Sequence, residues 1–295
     1  MSQPRRDRVL QMSIRIDLHT HSNESDGTDR PGALVESAIQ SGLTHLALTD
    51  HDSVAGWGDA LEHRDERIAL ILGAEISCQT IDALSVHMLG LLFDPANVQL
   101  KEAMDQTRTN RITRMERIVS KLQEAGIEIT IDDVYAELRE GATLGRPHLA
   151  DAMVKRGIVK DRSEAFERFL HNRSKFYIPD ASPTPERAIE LIKGAGGVAI
   201  IAHPFASLRG RIISPEYLES LVDAGLDGIE IDHRDHNEGE RDSLRELTRR
   251  YGLIVTGGSD YHGTGKENRL GENLTDPSQF EKVVGRASGF EVVGG

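Results

Sequence analysis

Short apolar runs recur along the chain and alternate with segments of helical periodicity. Apolar runs of about four to eight residues, bounded by turn residues, are typical of buried strands. Seven such runs predict seven strands, which we expect to be parallel: SIRIDL (13–18), HLALT (45–49), IALIL (68–72), VHMLGLL (86–92), VAIIA (198–202), GIEID (228–232) and LIVTG (253–257).

Amphipathic segments with helix-start signals separate several of these runs. Pro31 opens the segment PGALVESAIQSG and Gly42 closes it, while Ser214 and Pro215 open SPEYLESLVDAG. Proline is favoured in the first turn of a helix and glycine just after its end. This alternation of strand and helix favours an α/β barrel or a doubly wound sheet.

The strand signal disappears between Ala96 and about Pro183. In its place, VQLKEAMDQTRTNRITRMERIVSKLQEAG and RSEAFERFLHN have the pattern of charged helices. We therefore expect residues 96–183 to form a helical insertion between the fourth and fifth strands. It would pack as a cap on a discontinuous barrel made of residues 13–95 and 184–290.

The charge balance changes the range of partners that we expect. The chain has 295 residues, with 35 Lys and Arg against 48 Asp and Glu, and a formal net charge of −13. Such a surface does not favour a long nucleic acid and is compatible with small substrates. Cys78 is the single cysteine, so no intramolecular disulfide forms.

The beginning of the chain carries no targeting signal that we recognise. MSQPRRDRVLQM (residues 1–12) is polar and is predicted to be an untethered tail. It resembles neither a signal peptide nor the roughly 20 apolar residues of a membrane span. We therefore expect a cytoplasmic protein with no membrane partner.

Residue types that bind metals follow almost every predicted strand. In α/β barrels the active site lies at the carboxyl ends of the strands, and many buried imidazoles and carboxylates would be costly to desolvate without a cation. The candidates are His19 and His21 after the first run, Asp50 and His51 after the second, Glu75 after the third, His87 inside the fourth, His203 after the fifth, Glu230 and His233 after the sixth, and Asp260 and His262 after the seventh.

Side chains two residues apart on a strand share a face. On that basis Ile14, Ile16 and Leu18 should cover helices, while Arg15, Asp17, His19 and His21 should face the barrel interior. Isolated histidines are more often ordinary hydrogen-bonded or surface residues, and we interpret His45, His63 and His171 in that way.

The mixture of donor types narrows the choice of metal. Histidine with carboxylate, and without thiolate, suits Mn, Fe or Zn better than Ca or a structural cysteine-zinc site. The number of candidates exceeds what one ion uses, so we expect two or three divalent ions that share a carboxylate. Glu75 is the natural bridge.

Seven short motifs follow one another along the chain: DLHTHS (17–22), SDG (25–27), TDHD (49–52), GAEIS (73–77), VHMLG (86–90), AHP (202–204) and GSDYH (258–262). In this order they resemble the motifs of the polymerase and histidinol phosphatase (PHP) superfamily of metal-dependent phosphoesterases. The resemblance implies a distorted seven-stranded TIM-like barrel with a trinuclear site. It assigns His19, His21, Glu75 and Asp260 to one ion, Glu75, His87 and His203 to a second, and Asp26, His51 and His262 to a third.

The segment GRPH (145–148) inside the insertion resembles one branch of this superfamily. That branch holds small stand-alone enzymes: 3′,5′-nucleoside bisphosphate phosphatases, enzymes that trim oligoribonucleotides, and a nucleoside-monophosphate-binding phosphoesterase. The resemblance implies a nucleotide or short oligonucleotide substrate. Since two or more ions can lower the pKa of a bridging water, we expect a metal-bridging hydroxide to be the nucleophile.

Three residues are predicted to contact the substrate. Arg146 offers a planar fork that suits phosphate oxygens, and His148 lies beside it. The alternative is that both residues only begin a helix with Pro147 in its first turn. His233 is predicted to bind substrate or to protonate the leaving alkoxide.

Three further residues are candidates for supporting or catalytic roles. Asp17 either orients His19 or caps nearby backbone amides, and the sequence does not separate these. Asp50 precedes the ligand candidate His51. His236 follows His233 and is either part of the site or a surface-loop residue.

Other functions remain open at the level of sequence. The substrate could be another small phosphorylated metabolite, such as histidinol phosphate. The chain could be a non-catalytic metal-binding PHP module, although it keeps all nine ligand candidates. A metallohydrolase acting on amides is a further alternative, which the resemblance and Arg146 disfavour.

Overall fold

A computed structural model describes residues 13–138, 142–179 and 181–295. The predicted polar tail, residues 1–12, lies outside these ranges. Seven strands form one sheet in chain order: β1 (Ile16–Asp17), β2 (His45–Leu48), β3 (Ala69–Gln79), β4 (Ser85–Leu91), β5 (Val198–Ala202), β6 (Gly228–Asp232) and β7 (Ile254–Gly257). A short strand, β8 (Val293–Gly294), pairs with the start of β3.

The two edges of this sheet meet, which nearly closes it into a barrel. The Leu18 backbone N–H donates to the Gly257 carbonyl at 3.4 Å, and that of Asp260 donates to the His19 carbonyl at 2.8 Å. An isolated parallel bridge also joins Thr20 to Tyr261 beyond the ends of β1 and β7. The prediction of a distorted seven-stranded barrel with a helical insertion after the fourth strand is confirmed.

The prediction that all seven strands are parallel is wrong for β4. This strand is antiparallel to both β3 and β5. β3 continues past the predicted apolar run to Gln79, and only residues 80–84 separate it from β4. Since parallel neighbours need a crossover of about a dozen residues, so short a loop can only form a hairpin. His87 therefore lies near the start of β4, level with the carboxyl end of β3.

The predicted facing of the first strand is also wrong. Ile16 and Leu18 do not cover helices but lie in the apolar cluster inside the barrel, on the sheet face that carries Glu75. Asp17 lies on the opposite face, so it does not share a face with His19. Strict alternation holds only along a regular strand, and β1 is two residues long. The chain has left the strand where its histidines begin.

The helices begin where the sequence supplies capping residues. Pro31 and Pro215 each occupy a first turn, and the Ser214 hydroxyl accepts the Tyr217 N–H at 3.2 Å. The helices are α1 (Pro31–Gln40), α2 (Trp57–Glu62), α3 (Val98–Glu124), α4 (Ile131–Tyr135), α5 (Arg146–Lys155), α6 (Arg162–Ala165), α7 (Pro185–Gly194), α8 (Pro215–Asp223), α9 (Glu238–Tyr251) and α10 (Pro277–Arg286). A π-helical turn, Phe166–Leu170, follows α6, and 3₁₀ turns cover Ser207–Arg209 and Gly263–Gly265. None of the helices in the described ranges is long and apolar enough to cross a membrane.

The insertion has an apolar core of its own. Helix α3 spans two environments, because Leu100 and Met104 pack with the helices around the barrel, while Met115 and Leu122 pack with residues of α5 and the π-helical turn. The division of the chain at residues 96 and 183 stays a proposal, which this separate core supports.

Polar contacts fix the insertion beside the carboxyl ends of the strands. The Thr143 N–H donates to the Glu24 carbonyl at 3.0 Å, and Arg162 reaches the Gly265 carbonyl at 3.3 Å. The Arg111 guanidinium lies 3.2 Å from the Asp52 carboxylate. The insertion therefore adjoins three of the loops that follow the strands.

Candidate metal centre

The nine predicted ligands converge at the carboxyl end of the barrel. They arrive from separate elements, and all are buried except His87 and His203, which are partly exposed. His19 and His21 follow β1, Asp26 lies in the next turn, His51 follows β2, Glu75 lies within β3, His87 within β4, His203 follows β5, and Asp260 and His262 follow β7. We call these residues the nine-residue cluster.

Glu75 lies at the centre of the cluster because both of its oxygens face imidazoles. Its Oε2 atom lies 3.3 Å from His19 Nε2, 3.1 Å from His21 Nε2 and 3.2 Å from His51 Nδ1. Its Oε1 atom lies 2.8 Å from His87 Nδ1 and 3.2 Å from His203 Nε2. This position is the one expected of a carboxylate shared between cations.

Three overlapping groups bring their donor atoms within 4.8 Å of one another. They are His19, His21, Glu75 and Asp260; His51, Glu75 and His87; and His21, Asp26, His51 and His262. The first reproduces the set predicted for one ion. The second group has His51 where the predicted set has His203, because His51 Nδ1 lies 3.2 Å from Glu75. The third contains the whole predicted set of Asp26, His51 and His262 and adds His21.

The donor atoms fit divalent cations. In the described part of the chain, Asp26 Oδ1, His51 Nδ1 and His262 Nε2 are buried without a hydrogen-bond partner. Yet His262 Nε2 and Asp26 Oδ1 lie only 3.1 Å apart. Buried polar atoms that converge without hydrogen-bonding geometry are costly unless a cation joins them. Imidazole and carboxylate donors suit Mn, Fe or Zn.

The charges in the cluster are consistent with this fit. Burial by itself raises the pKa of a carboxyl group, but His87, His51 and His19 hold the pKa of Glu75 well below its usual range. Burial lowers the pKa of His262 to about 4, which leaves a neutral imidazole with a free lone pair. Burial also opposes a charge on His21, yet Asp260 and Glu75 raise its pKa to about 9. Positive charge is thus favoured between these carboxylates.

The buried carboxylate of Glu230 orients two of the ligand candidates. Glu230 Oε1 lies 2.9 Å from His19 Nδ1, which turns Nε2 of that ring towards Glu75, and Glu230 Oε2 accepts the His203 N–H at 3.0 Å. Carboxylates commonly hold the far nitrogen of a ligand histidine in this way. Glu230 follows the sixth predicted strand as a candidate metal-binding residue, but the sequence assigns it to no ion.

Asp50 holds the loop that carries Asp26. Its carboxylate accepts the Ser22 N–H at 2.8 Å, the Ser22 hydroxyl at 2.6 Å and the Ser25 hydroxyl at 2.6 Å. Burial raises the pKa of Asp50. The predicted supporting role of Asp50 thus has a geometric basis, through the loop rather than through His51.

Two ligand candidates have an unusual backbone conformation. His203 has φ of 32° and Asp260 has φ of 51°, and Asp52, directly after His51, has φ of 49°. Positive φ is uncommon outside glycine and is maintained where the surroundings enforce it, often at functional sites.

Gly258→Ala is expected to disturb the cluster and to weaken metal binding by about tenfold to a hundredfold, the usual effect of displacing groups that orient ligands. A Cβ atom at this position would lie 2.3 Å from His19 Cβ and 2.8 Å from Glu230 Oε1. The measurement is metal content after dialysis against a graded metal buffer. Gly58→Ala is the matched control, because its Cβ position has no described atom within 4 Å apart from its chain neighbours and its own helix backbone. Normal metal affinity in Gly258→Ala would contradict this packing argument.

Asp17 and His236 bond to the backbone. Asp17 accepts the N–H groups of Ser259 and Gly271, each at 2.9 Å, which is the amide-capping alternative, and burial raises its pKa to about 6.

His236 donates from Nδ1 to the Ile231 carbonyl at 2.9 Å, and its Nε2 accepts the Phe205 N–H at 3.1 Å. His236 is buried rather than part of a surface loop, and both ring nitrogens are engaged.

His233 adjoins the cluster. It is fully buried, its Nδ1 accepts the Asp235 N–H at 3.1 Å, and its Nε2 lies 3.5 Å from Asp260 Oδ2. The same Nε2 atom lies 3.4 Å from Arg209 Nη2, so it faces both a carboxylate and a guanidinium at the edge of the cluster.

The two predicted substrate residues of the insertion differ in their surroundings. His148 is buried, its Nδ1 accepts the Gly145 N–H at 3.1 Å, and burial lowers its pKa while Asp26 acts in the opposite direction. Arg146 Nη1 donates at 2.7 Å to both the Leu170 carbonyl and the Asn172 side chain, inside the insertion. Their roles in binding phosphate stay predictions.

The three histidines interpreted as ordinary residues have local partners. The His45 ring packs against Phe280 at 4.9 Å between ring centroids. His63 Nδ1 donates to the Asp59 carbonyl at 2.8 Å. His171 Nδ1 accepts the Arg173 N–H at 3.1 Å.

Two basic residues that sequence reasoning missed contact the cluster. Arg209 Nη2 donates to Asp260 Oδ2 at 2.6 Å, and Lys266 Nζ donates to the same oxygen at 3.0 Å. Both lie in connections between strands and helices, outside the motifs quoted above, so no pattern in the sequence pointed to them.

Comparison with known proteins identifies the family to which this chain belongs. The PHP domain profile matches residues 17–131. A 3′,5′-nucleoside bisphosphate phosphatase of Chromobacterium violaceum is 32% identical over 255 residues, which cover 86% of this chain and 89% of that protein. A 5′-3′ exoribonuclease of Haemophilus influenzae is 34% identical over 268 residues, covering 89% of this chain and 95% of that protein.

A solved structure matches this chain over nearly its whole length. It is a crystal structure from Bifidobacterium adolescentis that carries the provisional assignment of metal-dependent phosphoesterase. It superposes with a TM-score of 0.89 at 42% identity and covers 94% of this chain and 97% of that one. Since the relatives match at this identity and length, the chain belongs to the PHP family and is a metal-dependent phosphoesterase.

Proposed function

We propose that this protein hydrolyses phosphate esters of nucleotides, of the 3′,5′-nucleoside bisphosphate or nucleoside monophosphate type, and of short oligoribonucleotides. The observation that carries the proposal is the nine-residue cluster, in which Glu75 contacts five histidines. The activities named for the two relatives above support the substrate class. The net charge of −13 favours small substrates over long nucleic acids.

Two or three divalent ions of Mn, Fe or Zn would be held by this cluster. When bound, such ions lower the pKa of water and neutralise charge on phosphoryl oxygens. His19, His21, Glu75 and Asp260 would hold one ion, Glu75, His87 and His203 a second, and Asp26, His51 and His262 a third. The third site is supported by buried atoms of Asp26, His51 and His262 that have no hydrogen-bond partner in the described part of the chain.

His233 would protonate the leaving alkoxide. Because the Asp235 N–H donates to Nδ1, the transferable proton would lie on Nε2, which faces Asp260 Oδ2 at 3.5 Å and Arg209 Nη2 at 3.4 Å. The ring is fully buried, which keeps its orientation fixed and limits exchange of the proton with bulk water.

The insertion would select the substrate. It adjoins the strand-end loops through Thr143, Arg162 and Arg111. Arg146 and His148, at the start of α5, are the predicted phosphate contacts of this cap. Arg146 would have to exchange its bonds to Leu170 and Asn172 for phosphate oxygens.

A substrate panel tests the proposal. Metal-loaded protein is assayed with adenosine 3′,5′-bisphosphate, adenosine monophosphates, 5′-phosphorylated short RNA and histidinol phosphate, each with Mn, Fe and Zn. We expect kcat/KM for a nucleotide or RNA to exceed that for histidinol phosphate by at least about tenfold, because a pocket that bonds a particular substrate discriminates by that much or more. A preference for histidinol phosphate would replace the nucleotide assignment with the other metabolite class. No phosphate release and no shortened RNA with any metal would overturn both.

A further inference from the structure

One oxygen of Asp260 accepts bonds from two cationic side chains. Arg209 Nη2 lies 2.6 Å and Lys266 Nζ 3.0 Å from Asp260 Oδ2. The other oxygen, Oδ1, faces the histidine pair, at 3.6 Å from His19 Nε2 and 3.4 Å from His21 Nε2. A single carboxylate thus has one oxygen in the nine-residue cluster and one against two positive charges.

Arg209 and Lys266 place two positive charges beside Asp260, a proposed metal ligand. Arg209 and Lys266 compete electrostatically with any cation for Asp260, which does not help a site whose only task is to bind metal. With the cluster occupied by divalent ions, this side of the site would carry an excess of positive charge. That excess is favourable only when an anion enters.

Both side chains reach the site from loops and remain accessible. Arg209 follows β5 in the loop after His203, and Lys266 follows β7 in the loop after His262. Each side chain is 34% exposed, although its cationic group contacts a carboxylate that is only 2% exposed. They therefore lie where solvent meets the cluster.

Arg209 is also held in a fixed orientation. Its Nε donates to Asp235 Oδ2 at 2.6 Å, while Nη2 donates to Asp260. Asp235 is the residue whose N–H donates to His233. The guanidinium and the proposed proton donor are thus positioned by the same loop, which places an anion-binding fork next to the imidazole.

We propose that Arg209 and Lys266 form a phosphoryl-binding subsite that holds the nonbridging oxygens of the reacting phosphate. In the absence of substrate, Asp260 Oδ2 keeps both cations in place. When the phosphate enters, its oxygens take over bonds from both side chains, and a guanidinium fork and an ammonium group suit that role. The proposal rests on the phosphoesterase function and does not depend on which nucleotide is hydrolysed.

The test is a calorimetric titration of metal-loaded protein with inorganic phosphate. Arg209→Gln and Lys266→Gln are each expected to weaken phosphate binding by about tenfold to a hundredfold, the usual effect of losing a charged hydrogen bond. Arg211→Gln is the matched control, because Arg211 lies on the same loop but pairs with Asp82 at 2.6 Å and is 56% exposed. Metal content is measured for every variant.

The outcomes are separable. Phosphate affinity that is unchanged in both variants, or equally reduced in Arg211→Gln, would overturn the subsite. The subsite would also be overturned if both variants regained normal phosphate affinity at saturating metal. In that case Arg209 and Lys266 would act only through Asp260 and its metal. Failure of the nucleotide assignment would leave this titration unaffected, because inorganic phosphate is the probe.

Discussion

Glu75→Gln is expected to lower kcat by about 10³-fold or more, equivalent to ~4 kcal/mol of transition-state stabilisation. Among the described residues, Glu75 alone contacts five of the histidines in the cluster, with three on one oxygen and two on the other. Glutamine keeps the shape of the side chain but removes its charge and replaces one oxygen with an N–H donor. Both proposed ions that share Glu75 would lose a ligand, so rate and metal content should fall together.

The measurement for Glu75→Gln is kcat at saturating metal, together with metal content and circular dichroism of the same sample. Glu190→Gln is the matched control, because Glu190 is 69% exposed on α7 and pairs only with Arg187 among the ion pairs described. Its activity should stay close to that of the unmodified protein. A Glu75→Gln protein that keeps its metal and loses less than about tenfold in kcat would show that the carboxylate is not shared between ions.

Removal of metal by chelation is expected to abolish activity while most of the fold remains. Without cations, the buried atoms Asp26 Oδ1, His51 Nδ1 and His262 Nε2 lack partners, so the folded state loses stabilisation. A ligand that binds only the folded state at 1,000 times its Kd contributes about 4 kcal/mol. We therefore expect Tm to fall by several degrees, and activity and Tm to recover together when metal is restored.

Reconstitution separates the candidate metals. Mn, Fe and Zn should restore activity better than Ca, because the donors include six histidines and Ca prefers oxygen ligands. Glu75→Gln provides the control for chelator effects, since its Tm should respond little to chelation. Full activity after exhaustive chelation, or equal recovery with Ca, would contradict the proposed centre.

Most residues of the candidate site could be predicted because their chemistry is local. Donor types such as His19 and His21, or Asp260 and His262, stand directly after apolar runs, and the carboxyl ends of barrel strands meet at one end of the fold. Their convergence in the structure follows from the order of strands alone.

The direction of β4 and the facing of β1 could not be predicted in the same way. β4 is antiparallel because β3 continues to Gln79, which leaves only a hairpin loop before Ser85. β1 is too short for alternation to fix the position of His19. Both features depend on where strands end, which hydrogen bonding to neighbouring strands decides.

The sequence by itself determined the barrel, the insertion and the candidate donor residues, because hydrophobic periodicity and residue chemistry are properties of short segments. Only the tertiary structure decided that Glu75 lies between five histidines, that Asp17 caps amides, and that Arg209 and Lys266 meet on Asp260. These contacts join segments that are up to 254 positions apart in the chain. No local pattern encodes such a distance, since it arises from how the closed sheet positions the ends of its strands.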